Sequence, residues 1–160
     1  MKYSEKYGDL IKLAIEGNFD VIAHGCNCLS TMGAGLAPQM AKAFGADKFM
    51  LEGDKFRGDI NKLGMVDFEW RYVKDGHVLQ VVNSYTQFRY GRNHSDGVDT
   101  PVDYEAITLA MRKLNHIFRG KTIGLPLIGC GLAGGDWGIV KKIFEQELNA
   151  MDVWVVHYKK

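Results

Sequence analysis

The sequence predicts an α/β fold, a mixed and mostly parallel sheet sandwiched between helices. Three observations carry this. Short apolar runs alternate along the chain with longer segments whose apolar residues recur at helical spacing. Strands separated by helices must connect by crossovers, which places helices on both faces of a largely parallel sheet. Finally, 160 residues with 46% hydrophobic content can enclose one core, so a single domain spanning residues 1–160 is expected.

The elements follow in order. A strand is predicted over 2–7, ending at Gly8-Asp9, then a short helix over 10–16 stopped by Gly17-Asn18. Residues 21–26 open on the apolar run Val21-Ile22-Ala23 and read as a buried strand. Residues 36–44 carry apolar side chains at helical spacing and meet a stop at Gly45. Asp47 can cap a further helix reaching about residue 54. Residues 63–73 alternate as a strand or hairpin arm, Asp75-Gly76 marks a turn, and 78–84 is the next strand. The charged, glycine-containing stretch 89–100 reads as a mobile loop. In the helix over 103–118, Tyr104, Ile107, Ala110, Met111, Leu114 and Phe118 share one face. A strand over 122–128, a helix over 139–148 and a closing strand over 153–156 complete the chain.

Composition narrows the function. The net charge is +1, and no Lys/Arg block or basic stripe suggests a nucleic-acid partner. No run approaches the roughly 20 apolar residues of a membrane span, and the charged start is unlike a signal peptide. Three cysteines, two of them one residue apart, make no disulfide framework, so a reducing, cytoplasmic setting is expected. A monomer is expected too.

Two glycine-rich turns stand out. The first runs His24-Gly25-Cys26-Asn27-Cys28-Leu29-Ser30-Thr31-Met32-Gly33-Ala34-Gly35 at a strand's end, where open α/β sheets bind ligands. Gly33 and Gly35 let the backbone come close to a ligand and offer N–H groups to phosphate. The second, Gly129 to Gly135, also follows an apolar strand and formally matches the dinucleotide fingerprint at Gly129, Gly131 and Gly134. Only one strand follows it, which argues against a Rossmann fold. Two such loops facing each other would grip a diphosphate.

Single residues near these loops have two readings each. His24, Cys26 and Cys28 share one side of an extended strand, but the spacing fits no usual zinc pattern, so no metal is expected. A Cys-x5-Arg phosphatase is excluded, because Met32, Ala34 and Asp136 stand where the arginine would be. His24 is either a general acid/base or a core histidine satisfied by backbone. Asn27 can bond a ribose hydroxyl as donor and acceptor, or its own turn. Asp136 can orient water or cap the helix that follows it.

His24-x-Cys26-Asn27-Cys28 with Met32-Gly33-Ala34-Gly35-Leu36-Ala37, and Leu125-Pro126-x-Ile128-Gly129-Cys130-Gly131-Leu132-Ala133-Gly134-Gly135-Asp136-Trp137 downstream, resemble the macrodomains. Within them the chain is most similar to the branch of ADP-ribose-1''-phosphate phosphatases and ADP-ribosyl-ester hydrolases. The resemblance implies the macrodomain fold, ADP-ribose or a derivative as small-molecule ligand, and no cofactor. It implies that Asp9 reads the adenine amino group while the Leu10 N–H reaches the ring, with Tyr158 stacking nearby. The diphosphate would lie between Met32-Gly33-Ala34-Gly35 and Ile128-Gly129-Cys130-Gly131-Leu132-Ala133, and Asn27 would contact the distal ribose. His24, Asn27 and Asp136 become the catalytic candidates. The ester hydrolases of this branch use a lysine near the end of the middle strand and an aspartate in the second loop. Here Val82-Asn83-Ser84-Tyr85 has no lysine, and Ala133 stands at the aspartate position. The expected activity is therefore hydrolysis of ADP-ribose-1''-phosphate to ADP-ribose and phosphate. The alternatives are a non-catalytic ADP-ribose-binding module and a hydrolase removing ADP-ribose from modified protein or nucleic acid.

Overall fold

The structure, a computed structural model, describes residues 2–89, 102–131 and 133–159. The expected loop over 89–100 lies outside the described residues from 90 onward, as does Leu132. Six strands form one sheet in the order β1-β6-β5-β2-β4-β3. They are β1 (Tyr3–Gly8), β2 (Val21–Asn27), β3 (Val66–Tyr72), β4 (Val78–Gln87), β5 (Thr122–Leu125) and β6 (Asp152–Tyr158). All neighbouring pairs are parallel except β3 with β4, the antiparallel hairpin at one edge. This is the predicted mixed, mostly parallel sheet.

Helices α1 (Leu10–Ile15), α2 (Ala37–Phe44), α3 (Tyr104–Ile117) and α4 (Trp137–Glu147) cover the two faces. Val21 and Ala23 of β2 point into the core under α3 and α4, with Ile107, Met111, Leu114, Val140 and Phe144. Ile22 between them points to the other face, where α1 and α2 supply Leu10, Ile11, Met40 and Phe44. A central parallel strand is buried on both sides, which is why β2 opens with three consecutive apolar residues, Val21-Ile22-Ala23. Side chains of Asp9, Asp103 and Asp136 each accept a backbone N–H at the start of α1, α3 and α4, the usual work of an aspartate at that position.

Two expected elements differ. The helix capped by Asp47 is instead a series of 3-10 turns, Ala46–Lys48, Met50–Glu52, Asp54–Phe56 and Ile60–Lys62. Phe49 at ψ 155° and Gly53 at ψ 162° are extended, so no α-helical ladder can run through them; Asp47 makes no capping bond. The strand expected over 122–128 ends at Leu125, because Pro126 has no N–H to continue the ladder. The C-terminal ends of β1, β6, β5, β2 and β4 all lie along the same edge of the sheet.

Candidate functional site

At that edge, above β5 and β2, lies a cavity of about 670 Å³. Its walls come from the two glycine-rich turns. Gly33, Ala34, Gly35, Leu36 and Ala37 line it from the β2–α2 connection, and Ile128, Gly129, Gly131 and Ala133 from the β5–α4 connection.

The chemistry of these walls is almost entirely backbone. The N–H groups of Gly33, Ala34, Gly35 and Leu36 make no hydrogen bond with a described residue. The same holds for Gly129, Gly131 and Ala133, whereas Ile128, Cys130, Gly134 and Gly135 spend theirs inside the turn. Among the described residues lining the cavity there is no lysine or arginine. The N-terminus of α2 opens onto the cavity at Leu36 and Ala37, adding partial positive charge. Unpaired N–H groups and a helix N-terminus together suit an anion.

The glycines divide into two kinds. A methyl group added at Gly33 or Gly131 would meet nothing within 4 Å. At Gly129, with φ +75°, it would meet Val102 Cγ2 at 2.5 Å. Gly129 therefore shapes the turn against the start of α3, while Gly33 and Gly131 keep the cavity open. Tyr104 OH accepts the Asp136 N–H at 2.9 Å, tying the same turn to α3 from its other end.

His24 lines the cavity but is only 1% exposed. Its Nε2 lies 2.6 Å from Asn83 Oδ1 and 3.4 Å from Cys26 Sγ. Asn83 Nδ2 donates to Ala46 O, so Oδ1 faces the ring as acceptor and Nε2 carries the proton. Burial lowers the imidazole pKa to about 4, partly opposed by the Asn83 bond. The ring is therefore neutral at pH 7, and Nδ1, without a partner among the described residues, is its acceptor. Burial also pushes the Cys26 thiol well up, with the Glu52 carboxylate adding to it, so this sulfur is not a thiolate at neutral pH.

Asn27, 7% exposed, spends its amide on its own turn. Nδ2 donates to Thr31 O and Oγ1 at 2.9 and 2.8 Å, and Oδ1 accepts from the Leu29 and Thr31 N–H groups. The carboxamide thus sits in the cavity wall and holds residues 27–31 in place.

The remaining sequence-derived residues lie elsewhere. Asp9, Leu10 and Tyr158 gather at the ends of β1 and β6, where Gly8 and Tyr158 are register partners. They stand on the same sheet edge, outside the cavity lining. Tyr158 is 65% exposed, and Asp9 Oδ1 caps α1 through the Lys12 N–H. Asp136 is exposed at the start of α4, accepting from Ile139 N, and does not line the cavity. Met32 packs into the core, and Cys130 Sγ turns to Ile128 O. Sequence reasoning passed over Gln87, Thr31, Pro126 and Leu127, all of which line the cavity. Gln87 had no signal, because β4 continues three residues past its expected end at 84. No three His, Cys, Asp or Glu side chains converge as metal ligands among the described residues.

No family model matches the sequence. The chain is 35% identical over 159 residues to an uncharacterized 17.5 kDa protein of Enterobacteria phage T4, covering 95% of this chain and 94% of that one. In structure it is similar to a macrodomain protein from Streptomyces coelicolor, with a TM-score of 0.65, 25% identity and 99% of each chain covered. The macrodomain of Thermus aquaticus DarG has a TM-score of 0.66 and 20% identity over 100% of this chain and 99% of that one. Thermosipho africanus DarTG, solved in complex with ADP-ribose, has a TM-score of 0.71 and 18% identity, covering 98% of this chain and 42% of that one.

Proposed function

From the premise that this chain belongs to the family of the 17.5 kDa phage T4 protein and has the macrodomain fold, we propose that its cavity binds ADP-ribose. We further propose that it hydrolyses ADP-ribose-1''-phosphate. The observation that carries the reading is the pair of N–H rows that line one cavity without a partner, and without a lining side-chain cation, among the described residues. Such a cradle fits a diphosphate, whose charge is spread over many oxygens. The solved complex of Thermosipho africanus DarTG with ADP-ribose supports the ligand class. The adenine would lie toward Asp9, Leu10 and Tyr158 at the ends of β1 and β6, and the distal ribose toward Asn27.

The reaction suits a site made of backbone. Hydrolysis of a phosphate monoester is driven largely by positioning and by stabilising charge on the phosphoryl oxygens. Attack by water forms one P–O bond and breaks the bond to the ribose C1'' oxygen, releasing phosphate and ADP-ribose. A neutral His24 could accept the water's proton only at Nδ1, which is buried and would first have to open to the cavity. With its pKa near 4 it holds no spare proton for the leaving oxygen at pH 7. Asp136, placed at the cap of α4, would act on the substrate only through its hold on the second turn.

A second reading has its own observation. The amide of Asn27 is saturated within its turn and His24 is almost sealed, an arrangement that also suits a module binding ADP-ribose without turnover. One experiment separates the two. The protein is incubated with ADP-ribose-1''-phosphate, an ester-linked ADP-ribosyl protein and ADP-ribosylated DNA, while calorimetry follows ADP-ribose. Phosphate release from the first substrate alone supports the phosphatase. Binding with no turnover on any substrate selects the module. Absence of binding at millimolar ligand removes both.

A further inference from the structure

Lys62 is the one fully buried cationic side chain among the described residues, at 1% exposure. Its Nζ donates to Leu51 O at 2.7 Å and to Ser30 Oγ at 2.9 Å, and lies 4.8 Å from the centre of the Tyr85 ring. No described carboxylate lies within 4.0 Å of it. Glu52 and Asp67 feel its charge, but the Glu52 carboxylate accepts from the Tyr85 hydroxyl at 2.7 Å and Asp67 Oδ2 from the Leu51 N–H at 2.8 Å. A buried ammonium without direct counter-charge is costly, so its position calls for a reason.

The Ser30 contact supplies one. Ser30 is one of two non-glycine residues at positive φ among those described, at +59°. A serine held there is strained unless its surroundings enforce the conformation. Ser30 stands directly before Thr31, which lines the cavity, and three residues before Gly33, where the row of N–H groups without a described partner begins. Gly58 N–H, bonded to Cys28 O at 2.7 Å, anchors the same loop one turn earlier. The ammonium thus grips the loop at its strained residue while resting on the 3-10 segment through Leu51.

The geometry points to Lys62 as a positioning residue for anion binding, setting the Thr31–Leu36 loop through Ser30 and lending positive charge to a cavity that has no lining cation among the described residues. This rests on the ADP-ribose reading of that cavity. Charge acting through a poorly screened interior persists over distances at which a surface charge would be quenched.

The test uses NMR titrations of the wild-type protein, Lys62→Met and Ser30→Ala with ADP-ribose and with adenosine, which is neutral. Lys62→Met should lower ADP-ribose affinity about tenfold, through lost charge and a loosened loop, and leave adenosine affinity unchanged. Ser30→Ala, which keeps the lysine and removes only its acceptor, should lower ADP-ribose affinity severalfold. Equal ADP-ribose affinity in all three proteins overturns the inference. So does an equal loss for both ligands, because that reports general damage to the site. Amide hydrogen exchange without ligand keeps this separate from the functional reading. If the wild-type protein binds no ADP-ribose, the reading of the ligand fails. Faster exchange over residues 31–36 in both variants would still support the role in loop positioning, and unchanged exchange would overturn it.

Discussion

His24 and Asn83 are register partners on β2 and β4, and a 2.6 Å hydrogen bond joins Nε2 to Oδ1 between them. Asn83 in turn donates to Ala46 O just beyond α2. The bond fixes the ring's orientation and its tautomer, leaving Nδ1 as the free acceptor. A histidine so held is a component of the cavity wall whose remaining acceptor, Nδ1, is buried and has no partner among the described residues.

The depressed pKa of His24 makes a prediction about stability. In the unfolded chain the imidazole takes a proton near 6.5, and in the folded chain only near 4. Between those values the unfolded state binds more protons, so stability is full above about pH 6.5 and is lost as pH falls toward 4. The loss from this group is on the order of 3 kcal/mol. Urea denaturation of the wild-type protein and of His24→Gln at pH 7 and pH 4.5 should show a steeper decline for the wild type. Parallel declines would mean that the ring titrates normally.

Turnover of ADP-ribose-1''-phosphate should fall about 10²- to 10⁴-fold in His24→Ala, the usual cost of losing a general base. ADP-ribose affinity should stay nearly unchanged, since the ring is almost sealed. Steady-state phosphate release beside calorimetry checks both. Wild-type turnover in this variant would reduce His24 to a packing residue.

For Asn27→Ala, affinity, turnover and stability should all decline. The substitution leaves the Leu29 and Thr31 N–H groups without their acceptor, costing about 1–3 kcal/mol. It also releases the turn that shapes the distal end of the cavity. Calorimetry and a denaturant midpoint measure the two effects, and a stable variant with wild-type affinity would contradict the role given to this side chain.

The two kinds of glycine should separate cleanly. Gly131→Ala meets open space, so the denaturant midpoint should barely move while ADP-ribose affinity falls as the methyl enters the ligand's volume. Gly129→Ala meets Val102 at 2.5 Å on a left-handed backbone and should cost about 1–3 kcal/mol of stability. The reverse pattern would show that the ligand does not run along the second turn.

Several features were legible in the chain because their causes are local. The apolar run Val21-Ile22-Ala23, leading into a polar glycine-containing turn, reads as a strand buried on both faces. Gly45 at φ +71° ends α2 as glycine does. Over 47–54 the structure forms 3-10 turns instead of the expected helix, because the buried Phe49, Leu51 and Glu52 serve long-range contacts such as Leu51 N–H to Asp67 and Tyr85 OH to Glu52.

The sequence by itself determined the alternation of strands and helices, and with it a sheet whose strand ends carry two glycine-rich turns. Periodicity, caps and glycine act over a few residues, so one chain segment suffices to reveal them. Tertiary structure alone decided what surrounds each polar group. It sealed His24 against Asn83, 59 positions away; it brought Lys62 to Ser30 across 32; and it gave Asp136 to a helix cap instead of the cavity. Burial, pKa and hydrogen-bond partners depend on neighbours that only the folded sheet brings together.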